Sequence, residues 1–124
     1  MTRESLFLLI AAVGLTPIAL AYGAMPGVSV PFLYGVEVDT TSGAHIFRAV
    51  MGLYLGMVVF WVAGARNAAL TSAALWSVAV FMLGLAAGRA LSLLLDGLPS
   101  ALLVLYLLLE LGFGAVALVL ARKS

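Results

Sequence analysis

Arg48, Arg89 and Glu110 lie inside long apolar stretches. A charge near the centre of a lipid bilayer costs about 2.5–3.5 kcal/mol on insertion scales, so each of the three needs a partner or water. Two guanidinium groups and a carboxylate can form an interhelical ion pair or anchor the polar head of a ligand. They can also put a carboxyl group in place for proton transfer. Helical spacing gives each one neighbours. Arg89, Ser92 and Asp96 share a face at i, i+3, i+7; Tyr106 and Glu110 do so at i, i+4; and His45, Arg48 and Gly52 line a third. The simplest arrangement pairs Arg89 with Glu110, brings Arg48 and Asp96 close, and makes a polar pocket that opens outward. Two other roles are open to these charges: fixing helix order, with an arginine snorkelling to the headgroups, or meeting another subunit. His45, alone near a helix start, reads as an interfacial residue.

Other site chemistries lack the residues they need. The chain has no cysteine and one histidine, which removes disulfides, thiolate catalysis, Cys-based zinc sites and a His-rich metal site. No nucleophile motif, phosphate loop or cofactor-binding pattern appears, so no metal and no cofactor is expected. A net charge of +1 gives no field for nucleic acid.

The elements that must position the three charges follow from composition. Of 124 residues, 65% are hydrophobic and 9% charged, with a mean hydropathy of +1.26. Soluble domains carry about 25% charged residues, so the expected class is an all-α polytopic membrane protein. Apolar runs predict four transmembrane helices in one domain, over about 5–23, 44–65, 69–95 and 100–121. Ala19-Leu20-Ala21 resembles a signal-peptide cleavage site, but the run is long for one and its flanking charges nearly cancel, so a retained helix is expected. Pro17 should kink or break it.

Residues 24–43, with Pro26, Pro31 and several glycines, read as an extracytoplasmic connection whose Val36–Asp39 alternation permits a short strand. Ser42 is the expected N-cap of the second helix, Arg66-Asn67 a tight turn, Gly97 a left-handed cap, and Pro99 the first turn of the last helix. Arg3, Arg66, Arg122 and Lys123 collect at one end of such a bundle, and Glu37, Asp39 and Asp96 at the other. The positive-inside rule then puts both termini in the cytoplasm of a bacterial inner membrane. A rise of about 1.5 Å per residue sets Arg48, Arg89 and Glu110 at depths of roughly 6, 10 and 15 Å from the outer boundary. Gly52-x-x-x-Gly56 and Gly84-x-x-x-Gly88 suit close helix packing, a homodimer, or a groove for a lipid tail. Trp61 and Trp76 flank the Arg66 turn and read as cytoplasmic interface anchors.

The stretch His45-Ile46-Phe47-Arg48-Ala49-Val50-Met51-Gly52-Leu53-Tyr54-Leu55-Gly56, then Gly88-Arg89-Ala90-Leu91-Ser92, Asp96-Gly97-Leu98-Pro99-Ser100 and Glu110, resembles the bacterial family of small membrane proteins termed domain of unknown function 4345. The resemblance covers nearly the whole chain. It implies a four-helix membrane protein and brings no established activity. The residues favour a protein that binds an amphipathic, lipid-like molecule at the polar cluster, or an accessory subunit of a homo-oligomer or larger membrane complex. The alternatives are a small membrane enzyme using Glu110 as general acid or base on a lipid-soluble substrate, and a proton-coupled transporter acting as a dimer.

Overall fold

The computed structural model describes residues 1–124 and contains five helices and no strand: α1 (Arg3–Gly23), α2 (Pro26–Tyr34), α3 (Thr41–Arg66), α4 (Ala68–Asp96) and α5 (Ala101–Lys123). All but α2 are long and apolar enough to cross a membrane. At 21 to 29 residues they measure about 32–44 Å, against a hydrocarbon core of about 30 Å. Helix α1 packs on α3, α3 on α4, and α4 on α5, while α2 lies across one end against α1, α3 and α5.

The helix ends show how the sequence is punctuated. Thr2 caps α1 by accepting from the Ser5 amide. Helix α3 is capped by Thr40 and not by Ser42: Thr40 is extended, its hydroxyl accepts from the Gly43 amide at 2.9 Å, and Ser42 already lies in the first turn. Asn67 is the whole connection between α3 and α4, and its side chain accepts from the Ala69 amide. Ser100, extended, is the N-cap of α5, which leaves Pro99 outside the helix. Gly97 has positive φ, but its ψ of −163° is far from the left-handed helical cap expected there. Helix α1 runs through Pro17 as one helix; proline forfeits a single backbone bond, and the Thr16 hydroxyl donates to the Ala12 carbonyl one turn back.

The connection at 24–43 differs most from expectation. It holds helix α2 over residues 26–34, where no helix was expected, and Val36–Asp39, where a short strand was allowed, is irregular. Pro26 occupies the first turn, where a missing N–H costs nothing, and Pro31 gives up one bond in a segment otherwise rich in Val, Phe and Leu. Gly35, at φ +72°, ends it in a conformation open to glycine. Val30 and Tyr34 are buried, and the Ser29 hydroxyl donates to the Ala21 carbonyl, tying α2 to α1.

The core is narrow, formed chiefly by Leu8, Leu15, Trp61, Leu75 and Val78. Many large apolar side chains, among them Val13, Val59, Val80 and Leu94, face outward. In water so much contiguous apolar surface would drive association, whereas in hydrocarbon it costs nothing; the architecture is compatible with a multi-pass membrane protein.

Three glycines, Gly23, Gly64 and Gly114, set the close helix contacts, the last of them against Leu83 of α4. A Cβ on Gly23 would overlap Met51 Cβ, and one on Gly64 would overlap Ala74 Cβ. The Gly-x-x-x-Gly faces expected to join helices do not do so within the chain: a Cβ added at Gly52, Gly56, Gly84 or Gly88 meets nothing within 4 Å. Trp61 is likewise no interface anchor. It is fully buried, its indole N–H donates to the Ser77 hydroxyl at 2.9 Å, and its ring meets Phe81 edge-on. Trp76 faces outward.

Candidate functional site

Arg89 of α4 reaches Glu110 of α5. Its Nε donates to Oε1 at 2.9 Å and to Oε2 at 3.2 Å. The depth reading explains the meeting: Arg89 lies seven residues before the end of α4 and Glu110 nine after the start of α5, and a long guanidinium side chain spans the difference. Glu110 is the one buried charged residue of the chain, 7% exposed.

Four tyrosines, one each from α1, α2, α3 and α5, close around this pair, and they are all the tyrosines the chain has. Arg89 Nη2 donates to the Tyr22 hydroxyl at 3.4 Å, and the guanidinium carbon stands 5.8 Å from the centre of the Tyr106 ring. Tyr34 and Tyr106 hydrogen-bond through their hydroxyls at 2.8 Å. Tyr22 stacks on Tyr34 at 5.1 Å and meets Tyr54 edge-on at 5.6 Å. Each ring brings an apolar body and one polar tip, so the cluster excludes water while supplying hydrogen-bond partners. Burial and the bond to Tyr106 raise the Tyr34 phenol above its ordinary pKa, which keeps its proton in place. Of the four, Tyr106 alone was placed at the site by helical spacing. Tyr22 and Tyr34 had one available signal: both lie near the helix ends that share a level with Arg89.

The other residues singled out by spacing lie elsewhere. Arg48 does not join the pair; its Nη1 donates to the Gly23 and Ala24 carbonyls at 2.9 and 3.2 Å. The close approach at Gly23 brings the end of α1 onto α3 beside Arg48, and open carbonyls at the negative end of a helix dipole suit a cation. Asp96 accepts from the Ser92 hydroxyl at 2.8 Å at the exposed end of α4, away from Arg89. The i, i+4 bond within the helix uses both groups. His45 is exposed and makes no hydrogen bond with the cluster. No three His, Asp or Glu side chains come together in a way that would hold a metal ion.

Two spaces flank the ion pair. On the Arg89 side a cleft of about 550 Å³ runs along α4 between α3 and α5. Its lining includes the aromatics Tyr22, Phe47 and Tyr54, Leu103 and Leu107 from α5, and Gly84 and Gly88, whose missing side chains make the room. Arg89 is the one charged residue in that lining, with Ser92 beside it. On the Glu110 side a smaller cavity of about 70 Å³ is lined by Leu15, Ile18, Phe113, Tyr54 and Tyr106. The cation thus lines the larger cleft, and the carboxylate lines the smaller cavity between α1 and α5.

Four span-length helices around an intramembrane-type ion pair define a class, that of small all-α proteins suited to hydrocarbon. Within it, the family described as Domain of unknown function (DUF4345) matches residues 4–121, and the chain belongs to that family. No curated protein and no solved structure matches it.

Proposed function

We propose that the chain is a multi-pass protein of the bacterial inner membrane, with both termini cytoplasmic, that binds an amphipathic, lipid-like molecule. The polar head sits at Arg89 and the tail lies along the Gly84 and Gly88 face of α4. One observation carries this reading: a cleft of about 550 Å³ has a mostly apolar lining and holds one charged group, a guanidinium held by an ion pair. Ligand sites in general combine an apolar lining with a few convergent polar groups. The basic residues at the terminal end and the acidic residues at the α2 end support the orientation. The cleft then opens in the outer half of the membrane. Acid–base chemistry on a molecule bound in the cleft is less well supported, because Glu110 lines the small cavity between α1 and α5 and not the cleft. A role as an accessory subunit is compatible with the same site, the bound molecule then being shared with the larger complex.

The test fills the cleft. Gly84→Leu/Gly88→Leu adds two side chains where a Cβ meets nothing within 4 Å, so the fold should tolerate it. Organic extraction and mass spectrometry of the purified wild type should yield a co-purified amphiphile that the variant has lost. Equal retention by the variant would overturn the proposal.

A further inference from the structure

We infer that the head group taken by the cleft is electrically neutral and rich in oxygen acceptors, a carbonyl or ester head in place of an anionic phosphate; the inference rests on the proposed binding role. Arg89 carries five N–H donors. Nε is used by Glu110 and one Nη2 proton by Tyr22, which leaves three donors on a side chain that lines the cleft. They call for acceptor oxygens. The charge, by contrast, is already balanced: Arg89 and Glu110 sum to zero, and no other charged side chain lines the cleft. An anionic head would satisfy the donors but leave a net negative charge against the rings of Tyr22, Phe47 and Tyr54, a setting in which unbalanced charge is costly. A carbonyl or ester oxygen satisfies the same donors and adds no charge. The Tyr22 hydroxyl is a further donor at the same place, because it accepts from Arg89 through a lone pair and keeps its own proton.

The experiment is competition, read by native mass spectrometry, between a neutral ester amphiphile, monoolein, and an anionic phospholipid, dioleoylphosphatidylglycerol, on the purified full chain. Wild type should favour monoolein by about tenfold or more, a ratio equal to about 1.4 kcal/mol. Glu110→Gln makes the site singly positive and should reverse the order. Gly84→Leu/Gly88→Leu should lose both. A wild type that favours phosphatidylglycerol, or a Glu110→Gln variant with unchanged preference, overturns the neutral-head inference and leaves the binding role standing. Undiminished binding by the glycine variant overturns the binding role, and binding of neither probe by wild type overturns both. Should Glu110→Gln fail to fold, the wild-type competition still decides.

Discussion

Removing either partner of the Arg89–Glu110 pair should cost far more than removing both. The pair is joined at 2.9 Å, with side-chain exposures of 21% and 9%. Taking away one member of a buried pair leaves an uncompensated charge and typically costs about 3–5 kcal/mol, while replacing both with apolar groups is often neutral or stabilising. Arg89→Leu strands the more deeply buried Glu110, so its cost should fall at the upper end of that range. Glu110→Leu leaves a guanidinium at the edge of the cleft, where its long stem lets it reach water or headgroups, and should fall at the lower end. Arg89→Leu/Glu110→Leu should come within about 1 kcal/mol of wild type, giving a coupling energy of about 3 kcal/mol or more across the cycle. The assay is equilibrium unfolding in mixed micelles, followed by helix content across a denaturing-detergent titration. Additive losses in the double variant would refute the reasoning, because they would mean that each charge is satisfied independently of the other. The same variant separates structure from function: restored stability with no bound amphiphile would show that the pair is kept for its ligand.

Gly64→Leu, which would overlap Ala74, should destabilise by about 1–3 kcal/mol, whereas Gly56→Leu should stay within about 0.5 kcal/mol in thermal unfolding. Brominated lipids should quench Trp76, 43% exposed, and spare Trp61, 0% exposed, as Trp61→Phe and Trp76→Phe variants measured by fluorescence would show. Tyr34→Phe removes the bond to Tyr106 and should cost about 1–3 kcal/mol, with faster amide exchange along α2 than along α1.

The spans and the Arg89–Glu110 meeting were legible in the sequence because hydropathy gives length and residue counting gives depth. Azimuth was not legible. Counting put Arg48 near the right level but could not show that α1 ends beside it with two carbonyls within hydrogen-bond reach, while the carboxylate stands two helices away. Trp61 illustrates the same gap: closeness to Arg66 along the chain suggested an interface, yet its helical face turns it onto Phe81 and Ser77. Glycine spacing also carries no direction: the motif pairs at 52/56 and 84/88 looked like helix contacts, while Gly64 and Gly114, which are in contact, stand in no such motif, and Gly23 has Gly27 at that spacing only across the break between α1 and α2. Tyr22, Tyr34 and Tyr54 were overlooked for a related reason. A phenol inside an apolar run has no charge to betray it, and only the fold brings the four to one place.

The Arg89–Glu110 pair also has a history within the life of each chain. Arg89 leaves the ribosome 21 residues before its counter-charge, roughly 1–4 s earlier at ordinary rates of synthesis. For that interval a cation sits on a nascent helix with no carboxylate to meet, and Tyr34 waits longer still for Tyr106, 72 residues downstream. In the proposed membrane setting, the insertion machinery must therefore tolerate an unbalanced α4 until α5 arrives. Helix α5, made after α4, is the one that seals the charge and latches α2, so a chain truncated before α5 would carry an unmatched cation, a ready mark for quality control.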